Sequence, residues 1–218
     1  MGRSQAHPPT DHAALMDGIY RGQRHIYDLT RKYYLFGRDS LVTELACAPG
    51  DAVLEIACGT GRNLAKVAAR YPGVSLYGVD ISREMLLSAR AALGAGATLA
   101  VADATRFDAS AVLGRGQFDR VILSYSLSMI PDWVGALDQG AALLAPGGML
   151  HVVDFGDLTG LPRPLAAGLR GWLGRFHVEP RTGLAAASAR VAALHGLTPA
   201  YRDGPLRYFQ SVVLRKPG

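Results

Sequence analysis

The chain has 218 residues, 49% of them hydrophobic, and a formal net charge of +5. That length suits one domain with a substantial core; no apolar run reaches transmembrane length, and the polar, proline-containing start does not read as a signal peptide. Two cysteines, Cys47 and Cys58, make no disulfide framework, so a reducing cytoplasm is expected, and the positive charge favours an anionic partner, either nucleic acid or an acidic membrane surface.

In chain order, 1–10 reads as a disordered tail and 11–218 as a single domain. From Asp11 to about Leu35, the residues Leu15, Ile19, Gly22, Ile26, Leu29 and Tyr33 recur at alternating steps of four and three, the seam of one long helix. Gly37 ends it, and Arg38 to Ala46 makes a second helix, so 11–46 forms a helical lid segment. Pro49-Gly50 turns into a first strand that carries Val53-Leu54-Glu55-Ile56. The glycine loop Ala57-Cys58-Gly59-Thr60-Gly61 follows, then a helix from Asn63 to Arg70 and a second strand, Leu76 to Val79. Ser82 caps a helix running to about Leu93. Thr98 to Ala102 is the third strand and Phe118 to Ser124 the fourth. Pro131 opens a helix to Leu144, and Pro146-Gly147-Gly148 turns into a fifth strand, Met149 to Phe155. An insertion over 156–183 precedes a helix from Leu184 to His195, and Arg207 to Leu214 reads as a last strand. Alternating strands and helices predict an α/β, Rossmann-like doubly wound sheet, parallel through its first five strands.

The glycine loop carries the chemistry. Gly59 and Gly61 let backbone N–H groups approach a ligand, and Asp80, 19 residues after Gly61, can accept both hydroxyls of a ribose. The string Gly59-Thr60-Gly61-Arg62-Asn63-Leu64 lacks the third glycine of a dinucleotide fingerprint. Glu55 adds negative charge, which suits an ammonium better than a phosphate. A ligand with a ribose, a cationic end and no phosphate fits, and S-adenosylmethionine is one. No His, Cys or Asp cluster has metal-ligand spacing, so no metal is expected.

The string Glu55-Ile56-Ala57-Cys58-Gly59-Thr60-Gly61-Arg62-Asn63 resembles the first motif of class I S-adenosylmethionine-dependent methyltransferases. The resemblance implies a seven-stranded sheet ending in a hairpin and a cofactor site drawn from Tyr33, Glu55, Ala57, Gly59, Gly61, Asn63, Asp80, Ile81, Asp103, Ala104 and Ser124. Within Val101-Ala102-Asp103-Ala104 it implies that Asp103 accepts the adenine amino group and the Ala104 N–H meets the ring. It makes Asp119 structural and sets Ser124 and Tyr125 beside the transferred methyl.

A narrower resemblance rests on Met16 to Arg21, Arg24 to Leu35, Gly37-Arg38-Asp39, Ser124-Tyr125-Ser126-Leu127-Ser128-Met129-Ile130-Pro131-Asp132-Trp133 and Val153 to Asp157. These are similar to bacterial diacylglycerylhomoserine N-methyltransferases, which methylate a lipid amine three times to give a betaine lipid. Phosphatidylethanolamine and a soluble small molecule stand as alternative acceptors. Nucleic acid is not expected, because the arginines lack a recognised binding module.

The amino-terminal segment carries Tyr20, Tyr27, Tyr33 and Tyr34 among interleaved arginines. They read either as core or as aromatic walls for a cationic amine. Tyr20, Arg31, Arg38, Tyr125 and Trp133 are the candidate acceptor contacts, an arginine holding the head-group carboxylate. Asp154, Tyr27 and Tyr33 are the candidates to orient the amine or take its proton. In the insertion, Leu165, Leu169, Trp172, Leu173 and Phe176 share one face of a basic helix opened by Pro164. That face either packs on the sheet or lies in a membrane interface. The expected location is cytoplasmic, peripheral on the inner face of the membrane.

Overall fold

A computed structural model of the chain describes residues 36–175 and 178–218. The helices are α1 (Arg38–Glu44), α2 (Arg62–Arg70), α3 (Arg83–Leu93), α4 (Ala109–Leu113), α5 (Trp133–Ala142), α6 (Arg163–Gly174) and α7 (Leu184–His195). The strands are β1 (Ala52–Ile56), β2 (Ser75–Asp80), β3 (Ala97–Val101), β4 (Phe118–Ser124), β5 (Leu144–Phe155), β6 (Thr198–Asp203) and β7 (Phe209–Arg215).

The seven strands form one sheet in the order β3-β2-β1-β4-β5-β7-β6. The first five are parallel, and β7 runs antiparallel to both β5 and β6. The order reverses between β1 and β4, which places a crevice beyond the carboxyl ends of those strands. All five residues of β1 are buried, because helices cover both faces of a central parallel strand. One core cluster packs Leu113, Leu137 and Val191 of α4, α5 and α7 on one face of the sheet. The other packs Leu41, Leu64, Leu86 and Leu173 of α1, α2, α3 and α6 on the opposite face.

Local chemistry fixes the element ends. The Ser82 hydroxyl accepts the Met85 N–H and caps α3. Asp108 caps α4 through the Ser110 and Ala111 N–H groups, and Asp132 caps α5 through that of Gly135. Asp119 accepts the Ala52 N–H at 2.8 Å and sets the register of β1 against β4.

Several boundaries differ from the sequence expectation. The helix expected from Pro131 begins at Trp133, because Asp132 is its cap. Pro146-Gly147-Gly148 lies within β5 as an irregularity: Phe118 pairs with Leu144 and Arg120 with Met149. The last strand starts at Phe209 rather than Arg207, since Pro205–Arg207 forms a short turn. Strand β6 and helix α4 were not read from the sequence. Every residue of β6 is exposed, so it shows no inward-outward alternation, and α4 is only 5 residues long. In the insertion, Ala166 and Leu173 are buried and Leu169 and Trp172 pack against the same core. Most of the apolar face of α6, from Leu169 to Leu173, is therefore turned into the protein, while Leu165 at its start is exposed. Phe176 lies outside the described residues, as do the tail and the long helix expected before Phe36. Among the described residues no helix is long and apolar enough to cross a membrane.

Candidate active site

The site begins where β1 ends. Ala57, Gly59 and Gly61 hold left-handed backbone, with φ of 57°, 55° and 73°. Gly61 is the residue before α2, and a Cβ there would come within 2.8 Å of Leu93. This turn is stitched to the tip of β2. The Gly59 N–H donates to Oδ2 of Asp80 at 2.8 Å, the Ser82 N–H to its Oδ1 at 2.9 Å, and the Cys58 N–H to the Val79 carbonyl at 2.9 Å. Asp80 is thereby fixed at the mouth of the crevice, with a backbone donor on each oxygen. A carboxylate oxygen has a second lone pair for a diol.

Behind the loop, the Asn63 side-chain amide donates to Oε1 of Glu55 at 2.6 Å. Glu55 is only 2% exposed, so it lies beneath the mouth rather than at it. Asn63 Oδ1 and Ser124 Oγ are buried and accept or donate no hydrogen bond among the described residues. Buried polar atoms of this kind call for a partner. A ligand ammonium at Asn63 and a ligand donor at Ser124 fit them.

The cleft beside this loop encloses about 290 Å³. Ala57, Asp80, Ile81, Asp103 and Ala104 line it, five of the residues expected to hold the cofactor. Asp103 Oδ1 accepts both the N–H and the hydroxyl of Thr105, at 2.9 and 2.8 Å, and Oδ2 is left for a ligand amino group. The sequence reading missed Ala102, Thr105 and Arg106, and the opposite wall, Ile130-Pro131-Asp132. The capping role of Asp132 was the available signal for that wall.

Two of the residues expected to meet the acceptor or its proton, Tyr125 and Asp154, lie at the tips of β4 and β5. Tyr125 has φ of 53° and is 1% exposed. Its N–H donates to the Val153 carbonyl at 2.7 Å, its hydroxyl donates to the Phe36 carbonyl, and its ring meets Phe155 edge-on at 4.7 Å. Burial, then the charge of Asp154, pushes its phenol pKa up, with Arg38 opposing. Tyr125 thus acts as a tether between β4 and the segment before α1, not as an open aromatic wall. Leu158, after β5, repeats the left-handed pattern with φ of 60°.

Three further expectations need correction or placement. Asp154 is fully buried; Oδ2 accepts the Ser128 N–H at 3.0 Å and Oδ1 its neighbour Phe155 N–H at 2.7 Å. Burial raises its pKa, but both oxygens are engaged, one by the loop at Ser128 and one by the end of β5, and neither reaches the surface where an acceptor would enter. Trp133 does not line the cleft: its ring sits against Gly183 and the core below. Arg38 is buried at the start of α1, on the Tyr125 side of the sheet. Tyr20, Tyr27, Arg31 and Tyr33 lie outside the described residues.

A clamp behind the site was not legible in the sequence. Arg181 donates from Nε to the Leu127 carbonyl at 3.0 Å and from Nη2 to that of Ile130 at 3.1 Å. The Glu179 N–H donates to the Ser128 carbonyl at 2.9 Å. Gln210 donates to the carbonyls of Phe155 and Arg181, both at 2.7 Å. The loop that walls the cleft is therefore held from β7 and from the segment after α6.

Comparison with known proteins agrees with this architecture. A methyltransferase-domain family model matches residues 54–150. The chain is 34% identical over 163 residues to the ubiquinone/menaquinone biosynthesis C-methyltransferase UbiE of Syntrophotalea carbinolica, a match covering 72% of the chain and 66% of that protein. It is 31% identical over 156 residues to a demethylmenaquinone methyltransferase of Mycobacterium sp., covering 69% and 62%. The matches thus span just under two thirds of the length of these curated relatives. Among solved structures, phosphoethanolamine N-methyltransferase 2 of Haemonchus contortus with S-adenosyl-L-methionine superposes with a TM-score of 0.66 at 16% identity, covering 83% of this chain and 52% of that one. A putative methyltransferase from a Haloferax volcanii complex with Trm112 gives 0.67 at 17% identity, covering 99% and 100%.

Proposed function

The chain belongs to the class I S-adenosylmethionine-dependent methyltransferases, and on that premise we propose that its acceptor is the homoserine amine of diacylglycerylhomoserine, methylated three times to a betaine lipid at the inner face of the membrane. The observation that carries this reading is the bond from the Tyr125 hydroxyl to the Phe36 carbonyl. It ties Phe36 to the tip of β4, where two described stretches that resemble the betaine-lipid enzymes, 124–133 and 153–157, lie side by side: the Tyr125 N–H donates to the Val153 carbonyl and the Ser128 N–H to Asp154.

When bound, S-adenosylmethionine would supply a sulfonium methyl whose carbon the amine lone pair can attack, the C–S bond breaking as neutral S-adenosylhomocysteine leaves. The chain's own part is binding and alignment. Asp80 takes the ribose hydroxyls, Asp103 Oδ2 the adenine amino group, and Asn63 Oδ1, backed by the Glu55 carboxylate, the ammonium of the methionine end. Ser124 Oγ and the Tyr125 tether fix the acceptor side. Asp154 and Tyr125 are sealed, so the proton lost by the amine passes to solvent. Phosphatidylethanolamine is the nearest alternative head group.

A second reading, methylation of a ring carbon of a quinol, is favoured by the 34% identity to a quinone C-methyltransferase. A labelled-methyl transfer assay separates them. Purified protein is given diacylglycerylhomoserine, phosphatidylethanolamine and demethylmenaquinol in detergent, and mass analysis counts the methyls. Three methyls on the first lipid alone support the betaine-lipid reading. One methyl on the quinol, with neither amine labelled, replaces it.

A further inference from the structure

Strand β7 pairs Phe209 with Phe155 of β5, so the β6–β7 turn stands at the sheet edge where the cleft opens. That turn is bonded into its surroundings. Gly204 N–H donates to the Phe209 carbonyl at 2.8 Å, and the Gly156 and Leu158 N–H groups donate to the carbonyls of Tyr208 and Arg207 at 2.9 and 3.1 Å. Arg207 pairs with Asp157 at 3.0 Å, and Arg170 of α6 donates to the Asp157 carbonyl at 2.7 Å. Turn, post-β5 loop and α6 therefore form one unit.

The side chains this unit shows to solvent are unusual. Leu206 and Arg207 both hold left-handed backbone, with φ of 54° and 51°. Asparagine and glycine are the residues that favour such a turn. Leu206 is nonetheless kept at the tip and is 59% exposed, as is Leu165 in the first turn of α6. Phe36, 57% exposed, stands edge-on to Tyr208 beside them. Strained backbone that presents an apolar side chain to water needs a compensating contact. The stretch that carries Leu165 is basic. No acid occurs between Leu158 and Val178, and Arg163 and Arg175 are exposed with no partner among the described residues. The nearby acids Asp157 and Asp203 share Arg207, and Arg170 also lies beside Asp157, so two arginines face these two acids.

We propose that this edge rests on an anionic lipid bilayer, with Leu165, Leu206 and Phe36 entering the acyl boundary and Arg163, Arg170 and Arg175 lying over lipid phosphates. The inference rests on the lipid-acceptor reading and assigns the surface that delivers such an acceptor to the cleft. It narrows the sequence expectation: of the apolar face read there, Leu169, Trp172 and Leu173 are turned into the core and only Leu165, in the first turn of α6, is left exposed.

The test is co-sedimentation of the full chain with phosphatidylcholine vesicles and with vesicles containing phosphatidylglycerol. The wild type should bind the anionic vesicles preferentially, and salt should weaken the binding. Leu165→Ser with Leu206→Ser should weaken it about tenfold. Arg163→Gln with Arg175→Gln should weaken it by about fivefold for each arginine. Methyl transfer to detergent-dispersed acceptor should be unchanged in both variants, which shows them folded and active. Absent vesicle binding, equal binding to both vesicle types, or full binding by both variants overturns the proposal. If the vesicles bind as stated but no lipid is methylated in detergent, the docking surface stands and the acceptor assignment falls.

Discussion

Asn63 holds Glu55 from the first turn of α2, amide nitrogen to carboxylate oxygen at 2.6 Å, in a place that water hardly reaches. The pair joins the strand that ends at the glycine loop to the helix that starts from it. Removing the donor by Asn63→Leu takes a charge-assisted hydrogen bond from a buried carboxylate, a cost of about 2 kcal/mol. The expected result is a lower melting temperature and at least tenfold weaker S-adenosylmethionine binding by calorimetry. Glu55→Gln, which keeps a carbonyl acceptor, should lose less stability than Asn63→Leu while still binding cofactor poorly.

The Arg181 clamp predicts a variant that weakens the site without touching ligand. Arg181→Met frees the carbonyls of Leu127 and Ile130 and so loosens the Ile130-Pro131-Asp132 wall. Hydrogen exchange in 126–132 should rise, and cofactor affinity should fall about tenfold, the cost of one or two lost hydrogen bonds to a charged group. Arg181→Lys should recover only part of this, because a single ammonium does not span two carbonyls as a fork does. Unchanged exchange in the methionine variant sinks the clamp.

Asp154→Asn separates a brace from a base. The amide keeps one acceptor and turns an NH2 toward a backbone N–H that Asp154 now receives from Ser128 or Phe155. Stability should drop by about 1–3 kcal/mol. The pH profile of turnover per folded molecule should keep its shape. Loss of a basic limb from that profile, with stability intact, restores a proton-transfer role.

His151 predicts acid sensitivity. Burial first, then the charges of Arg120 and Arg215, lower its pKa from 6.5 to about 4. The unfolded chain binds a proton that the folded one refuses, so stability rises with pH through this window. It is fully present above about pH 6.5 and is lost as pH falls toward 4, with about 2 kcal/mol gone by pH 5. Melting temperature should fall between pH 7 and pH 5 by several degrees more in the wild type than in His151→Leu. Parallel curves for the two proteins count against the assignment.

Much of the frame was legible because period and punctuation agree. The glycine loop, the Ser82 cap and the buried runs of β1 and β4 each announce themselves locally. The placement of Asp80 and Asp103 in the cleft was legible too, since one ends β2 and the other follows β3 by two residues. What stayed hidden depends on long-range packing. Asp154 looks like a catalytic acid at a strand tip until Ser128, 26 residues earlier, is seen to claim it. Arg181 looked like one more surface charge, although its partners lie 54 and 51 residues away. The basic helix showed its apolar stripe plainly, but a stripe does not say whether core or membrane covers it.

Three neighbouring strand ends carry left-handed backbone on residues with a Cβ: Ala57, Tyr125 and Leu158. Each such residue costs about 1–3 kcal/mol, and glycine or asparagine at the same angles costs less. An engineering search guided by melting temperature alone would choose these positions early. The gain would come from slackening the turns that aim the cofactor loop and the acceptor wall, so heat tolerance and turnover would be traded against each other along this one edge of the sheet. Stabilising changes are better sought on the exposed β6 strand and the outer faces of α5 and α7, far from the turns.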